Sequence, residues 1–585
     1  MLSYRKLAMR VLGRPLNTGG GIDSPRPASQ RAAALVLTAA LLTGAAFPAF
    51  ADTYYIEDGD ITISAGTQAG TNKVEQTGKE TVENDRDTIV TNRKEDTASS
   101  HTVTINAGND KVEVTLDNVN IKADSGSALI SKGDVTLTLK GDNHLTGGNG
   151  GSSSYGGDGI TSSGSLTISG GTVTATGGDS TSSVGSGGSG IYSVSGDVTI
   201  SGGTVNANGG DGKNGSGGGS GIDSSGGVTV SGGTVTANGG DGGSGSGSHG
   251  GNGIYSSSGV AISGGAVTAN GGDSKDGDGG NGIYSSGGVT ISSGSTVTAN
   301  GGNGEDGSGG RGITSNGGVT VSGGTVNAKG GSGKNGNGGD GIRSFNPVAI
   351  SGGTVNANGG NSDYSNGGDG IRSLDHVAIS GGTVKSNGGS GNLSGGNGII
   401  SYDIDLSGSL ELTAKAGSPN GKALSRVGSE LDLNTIKDKL DPGAKVTATD
   451  ADGKVIQQVS IPRPVEPEEP SSSSDGGSAT PSAPASFLPG LTVTDKDGQR
   501  ISYTSIRGNN VLSLSVGRFT ASLHASLSTL RQLRAEGIDT ITFQTILCST
   551  TLSVDELLAM GGEDAEVVLT HHIRSSTLTV GGKAV

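Results

Sequence analysis

Three tyrosines, two arginines and two aspartates are the residues of this chain whose types and spacing could do chemistry. Tyr192, Tyr255 and Tyr284 each follow the isoleucine of a Gly-Ile pair, and so do Arg343 and Arg372. Asp340 and Asp369 stand three residues before those arginines. Aromatic rings can lie against sugar faces, and a guanidinium can clamp a carboxylate. Tyr and Arg also suit any exposed β surface. For Asp340 and Asp369 the two readings are a surface network with the arginines, or oxygen ligands for calcium in Gly-rich loops.

The position that carries these residues recurs. The Gly-Ile isoleucine returns at 160, 191, 222, 254, 283, 313, 342, 371 and 399. The residues that follow it are Thr161, Tyr192, Asp223, Tyr255, Tyr284, Thr314, Arg343, Arg372 and Ile400. A period near thirty residues signals stacked structural repeats. Each repeat holds three short runs separated by glycine, such as Ile191-Tyr192-Ser193, Val198-Thr199-Ile200 and Thr204-Val205-Asn206-Ala207. Runs this short do not pair as hairpins, but stacking each on its counterpart in the next repeat gives a parallel β-helix. Isoleucine, valine and alanine then fill the bore, and the residue after each isoleucine points outward. Right-handed winding is the expected hand. Ile130 lies thirty residues before Ile160 and reads as a degenerate further copy, for about ten coils in all.

The same register predicts a serine column from Ser162 to Ser401 and an asparagine column through Asn208, Asn238, Asn270, Asn300, Asn358 and Asn387, with Thr176 and Lys329 as exceptions. Both are read as structural, because stacked amides can bond along the axis. The Gly pairs are read as corners supplying positive φ. Length varies only after each Asn-Gly-Gly, so one corner of every coil carries a Gly/Ser/Asp/Asn loop, and such loops often mark a binding face. Gly218 to Asp223 begins like a calcium β-roll repeat, but the Asp is missing from the other copies and the period is wrong.

Composition sets limits. The chain has 585 residues, 115 of them Gly, no Trp and a net charge of −16. Such a balance disfavours a nucleic-acid partner, since phosphate must be neutralised. One cysteine, Cys548, excludes an internal disulfide and is read as a buried small apolar residue. His571 and His572 are read as a solvated strand edge, a poor metal pair because neighbours on a strand face opposite ways.

The segments divide as follows. Residues 1–51 read as a signal peptide: a basic stretch, an apolar run from Ala32 to Ala46, and Ala49-Phe50-Ala51 before Asp52. The run is too short for a membrane span. Residues 52–100 are an irregular N-terminal cap, 101–416 the parallel β-helix and 417–461 its C-terminal cap. Within that cap a short helix is expected near Leu433 to Leu440, then a hairpin turning at Asp452-Gly453. Residues 462–489 are a Pro/Glu/Ser linker, and 490–585 a small α+β domain. In it, Leu523, Leu527, Leu530 and Leu533 form a helical stripe, and Ser553 to Glu556 a capping box. The fold class is therefore all-β, a single-stranded parallel β-helix, plus this α+β domain.

The run Val112 to Ile121 (Val-Glu-Val-Thr-Leu-Asp-Asn-Val-Asn-Ile), followed by Ser127-Ala128-Leu129-Ile130 and by Val135 to Leu145, resembles the opening of the clostridial carbohydrate-binding β-helix family. The Thr-Ile-Ser-Gly-Gly-Thr-Val-Thr-Ala repeats are similar to those of secreted proteins of gut Firmicutes. The resemblance covers roughly residues 101–416. It implies a pectate-lyase-like right-handed β-helix that binds polysaccharide, cellulose or acidic sugars, with calcium and no established catalysis. The expectation is a secreted, non-catalytic polysaccharide-binding protein, with contact to the cell surface or host glycans. The alternatives are an adhesin-like rod without a sugar site, and a polysaccharide lyase, for which no coil carries a distinctive carboxylate cluster.

Overall fold

Alternation along each run decides the architecture. In a computed structural model of the chain, Ile222–Ser224, Val228–Val230 and Thr234–Asn238 are the three strands of one coil, and the inward residue of each is buried. The structure describes residues 52–462 and 490–584, apart from 152–154, 182–184, 246, 496–497, 502, 509, 517, 519, 546–547, 561–564 and 573–575. The signal peptide, and the linker beyond residue 462, thus lie outside the described residues.

Each strand pairs in parallel with its counterpart one coil away. Ile191, Ile222 and Ile254 stand in register in the first sheet, Val198, Val228 and Val260 in the second, and Val205, Val235 and Val267 in the third. Their side chains form one continuous apolar bore. Each fully buried aliphatic contributes about 1.5–3 kcal/mol, and nearly every coil supplies five or six inward positions. The result is a parallel β-solenoid of about fourteen turns.

The solenoid extends beyond residues 101–416 in both directions. Thr53–Tyr55 pairs in parallel with Ile89–Thr91, and Ile61–Ala65 with the strand beginning at Val103. Leu424–Arg426 stacks on Ile399–Ser401, and Lys445–Thr449 on Glu411–Lys415. Both caps therefore carry partial coils, which accounts for the higher turn count. The expected hairpin closes the far end, Lys445–Thr449 against Val455–Ser460, and the short helix there is a 3-10 helix, Leu433–Lys439.

One sequence register is off by a residue. Leu129, not Ile130, stacks on Ile160, while Ile130 joins the outward column beside Thr161. Leu129 is fully buried and Ile130 is not. A slip of one residue exchanges the two faces of a strand, because side chains alternate.

The polar columns hold the rod together as expected. Asn238, Asn270 and Asn300 each donate from Nδ2 to the preceding column member's Oδ1 at 2.8 Å. Ser256 Oγ donates to Gly226 O at 2.8 Å in the preceding coil and to Gly259 O at 3.0 Å in its own.

The two kinds of Gly pair do different work. At the Ser-Gly-Gly corner the second glycine is left-handed, with φ 81° at Gly233, as the sequence predicts. The pair after each Asn is not. There Gly240 N–H donates to Gly219 O at 2.8 Å, and Gly251 N–H donates to Gly240 O at 2.9 Å. This zigzag repeats coil after coil, pinching the base of every variable loop shut. A Cβ on Gly331 would lie 1.9 Å from Gly302 O, so closeness of backbone, not turn geometry, requires glycine.

The chain divides into two compact units, Met1–Glu466 and Pro467–Val585. Among the described residues of the second, a five-stranded and a four-stranded sheet accompany two helices, Leu527–Ala535 and Val554–Ala559. Leu523 is on the strand Ala521–Ser526 rather than in the helical stripe, because Ser526 caps the helix by accepting from Thr529 N. Ser553 caps the second helix as expected. His571 is not on a solvated edge. It is fully buried, against Phe543 and between the Thr545 and Thr550 hydroxyls, and burial lowers its pKa. Cys548 is half-buried rather than buried, with its Sγ 3.3 Å from His572 O.

Candidate functional site

Strand register places the outward residues in one line. Tyr192, Asp223, Tyr255, Tyr284, Thr314, Arg343, Arg372 and Ile400 are neighbours along the first sheet. Successive members are one coil apart, about 4.8 Å. The pinched loops set two further columns beside this line. Two residues before each isoleucine come Asn252, Asn281, Arg311, Asp340, Asp369 and Asn397. Five before it come His249, Asp278, Ser308, Asn337, Asn366 and Ser394.

These two columns line adjoining pockets of about 270 and 290 Å³ that share Ser308, Gly309 and Arg311. Together they form a polar trough spanning six coils. Arg343, Arg372, Asp340 and Asp369 belong to the second pocket.

The floor of the trough is stitched to itself. Asn281 Oδ1 accepts from Arg311 N at 3.1 Å, Asp340 Oδ1 from Asp369 N at 2.8 Å, and Asp369 Oδ1 from Asn397 N at 2.6 Å. Each Asx side chain thereby satisfies a backbone donor of the next coil. The free carboxylate edges turn to arginines. Arg372 Nη1 reaches Asp369 Oδ2 at 3.3 Å, while Arg311 Nε and Arg343 Nη1 stand 3.6 and 3.7 Å from Asp340 Oδ2. Burial, then the Asp340 charge, raises the pKa of Asp369 against the pull of Asn397 and Arg372. Burial, then the Arg311 charge, lowers that of Arg343.

These aspartates do not fit calcium. That ion takes six to eight oxygens from an acidic or neutral set. Here one oxygen of each carboxylate already holds a backbone N–H, and three guanidinium groups surround two carboxylates. The surface network with arginine is the arrangement present.

The tyrosines divide differently from the expectation. Tyr255 and Tyr284 stack on one another with centroids 5.3 Å apart and planes 7° from parallel. The stack runs along the rod, so each ring covers one face of the other, and Tyr284 Oη accepts from Asn316 Nδ2 at 3.4 Å. Neither ring lines the two pockets of the trough. Tyr192 stands apart from the pair, in register with Thr161 on one side and Asp223 on the other.

From the sequence Asp223 is noted only as a member of the outward column and as the end of a rejected calcium β-roll match, not as a site residue. Burial first, and then the charge of Asp158, pushes its carboxyl up to about 6. Asp158 is itself raised by burial, although Thr161 Oγ1 and Ser189 N donate to it at 2.6 and 2.8 Å. An ordinary Asp titrates near 3.9, so the folded state binds this proton more tightly than the unfolded chain. Stability from Asp223 is therefore greatest below about pH 4 and declines as pH rises to about 6. Asp223→Asn removes that penalty. We expect it to stabilise the solenoid by about 1–2 kcal/mol at pH 8 and to change little at pH 4, read from urea midpoints at both.

Arg311 was also missed. Its column is otherwise Asp, Asn and Ser until Lys422, and that break in type is the signal that could have found it.

Among known proteins, a family model described as "Beta helix repeat" matches residues 166–190, 198–220, 228–252 and 348–371. No curated protein and no solved structure gives a significant match. Among the described residues, no helix is long and apolar enough to cross a membrane. Over those four stretches this chain is similar to the β-helix repeat proteins, which fits the parallel register of the solenoid.

Proposed function

We propose that this is a secreted, non-catalytic polysaccharide-binding protein whose ligand lies along the trough of the solenoid. The observation that carries this reading is the line of polar side chains and backbone held in register over six coils, with pockets of about 270 and 290 Å³ end to end. A periodic polymer suits a periodic, elongated and largely pre-formed surface. The stacked Tyr255–Tyr284 pair sits on the first sheet, in the outward column that carries Arg343 and Arg372 into the trough, and adds ring edges to that surface. The apolar run before Ala49-Phe50-Ala51 supports export, and the likeness of residues 112–145 to carbohydrate-binding β-helices supports the ligand class.

One observation favours the rod reading instead. Most Asx oxygens of the trough floor are committed to the next coil, so the same residues serve the rod with or without a ligand. A glycan array probed with the full chain separates the two. Retention of one polysaccharide class, weakened at least fivefold in a Tyr255→Ala, Tyr284→Ala double variant, is the expected result. Retention of no glycan would leave the rod as the better account.

A further inference from the structure

The second pocket of the trough is unlike the first in charge. Three guanidinium groups on three successive coils, Arg311, Arg343 and Arg372, face two buried carboxylates, Asp340 and Asp369. The cluster carries an excess positive charge on a chain whose net charge is −16.

Its internal pairing is incomplete. Only the Arg372–Asp369 contact, at 3.3 Å, is a hydrogen bond. Arg311 and Arg343 stand beyond hydrogen-bond reach of Asp340 Oδ2, at 3.6 and 3.7 Å. The Arg343 Nε is buried and has no hydrogen-bond partner among the described residues. A buried donor without a partner is costly, on the order of 1–3 kcal/mol, and guanidinium presents its donors as a fork that matches planar oxyanions. The Phe345 ring under Arg343, 5.3 Å from its guanidinium carbon, holds the fork in place.

We propose that this pocket is an oxyanion subsite, in which Arg343, flanked by Arg311 and Arg372, holds a carboxylate or sulfate ester of an acidic polysaccharide. The proposal rests on the trough being the glycan surface and adds which group is read there. Arginines at coil spacing, about 4.8 Å, meet a regularly charged chain at more than one point. A neutral chain leaves the fork unfilled.

The test measures binding of the full chain to three probes by affinity electrophoresis: polygalacturonate for carboxylate, dextran sulfate for sulfate, and dextran as the neutral control. Wild type is compared with Arg343→Gln, Arg343→Lys and Lys329→Gln. Lys329 is exposed on the third sheet and lines neither pocket of the trough, and it controls for loss of charge alone. The expected result is at least tenfold tighter binding of one anionic probe than of dextran. Arg343→Gln should lose at least tenfold of it, Arg343→Lys most of it, and Lys329→Gln less than twofold, with all thermal midpoints above the assay temperature. Which anionic probe is preferred assigns the group. Equal loss in Lys329→Gln, or none in Arg343→Gln, overturns the proposal. Binding of dextran as tight as of the anionic probes also overturns it, while leaving the trough as a glycan surface. Failure to bind any of the three, combined with glycan retention on the array, overturns the subsite alone. Failure on both overturns the two readings together.

Discussion

Gly331→Ala should destabilise the solenoid by about 3 kcal/mol, while Gly202→Ala should be neutral or stabilising by up to about 1 kcal/mol. The two substitutions are chemically identical, and both sites lie in a Gly-Gly pair two residues past a strand end, Gly331 second in its pair and Gly202 first. What differs is the surroundings. A Cβ on Gly331 meets Gly302 O at 1.9 Å and the Gly302 carbonyl carbon at 2.6 Å. Those are backbone atoms, held by Gly302 N–H to Gly280 O and Gly310 N–H to Gly302 O, both at 2.8 Å, while Gly331 is held by its own N–H to Gly310 O and by Gly339 N–H to Gly331 O, at 2.8 and 2.9 Å. Accommodating one methyl group means parting two coils and losing those bonds. A Cβ on Gly202 meets nothing within 4 Å, and its φ is outside the left-handed region. Alanine there restricts the unfolded chain and gains up to about 1 kcal/mol. Urea unfolding followed by the β-sheet circular dichroism signal reads both. Equal effects would show that the glycine zigzag does not hold the loop bases together.

The second large effect concerns the register at the start of the regular coils. Leu129→Ala should cost about 3 kcal/mol and Ile130→Ala less than about 1 kcal/mol. Leu129 fills the bore between Val103 and Ile160, with no exposed surface. Removing three carbons there leaves a cavity, because parallel ladders on both sides prevent collapse. Ile130 stands on the outer face beside Thr104 and Thr161, half-buried. The same urea transitions decide it. The reverse order would restore the thirty-residue spacing that places Ile130 in the bore.

That pair also shows where the fold was legible. From Ile160 onward, Gly-Ile marks each coil and Val-x-Ile and Val-x-Ala fix the inward positions, so the bore and the Ser and Asn columns follow from alternation alone. Before Ile160 the signature is Ala128-Leu129-Ile130, with apolar residues on both faces, and alternation no longer chooses between them. Residues 52–100 likewise hide their parallel pairings, because the strands that pair are separated by antiparallel excursions such as Asn72–Gln76.

The candidate site was legible in part for a similar reason. A single column can be read by counting, so Arg343 and Arg372 stood out, and Asp340 and Asp369 with them. Arg311 belongs to a different column from the other arginines, and its proximity to Asp340 depends on how the pinched corner folds back. The mutual stacking of Tyr255 and Tyr284 depends on rotamers, which spacing does not specify. The double duty of Gly-Gly was hidden because a left-handed turn and a close backbone approach select the same residue.

Hydroxyl-radical footprinting of the full chain with and without polygalacturonate oligomers tests the central claim, that polysaccharide lies along the trough, most directly. The account predicts protection of His249, which lines the trough, of Tyr255 and Tyr284 in the outward column beside it, and of Phe345, against which the trough residue Arg343 packs. Exposed Ile456 on the closing hairpin and Met560 in the second unit should react unchanged. Uniform reactivity at all six residues, or protection confined to Ile456 or Met560, would contradict it.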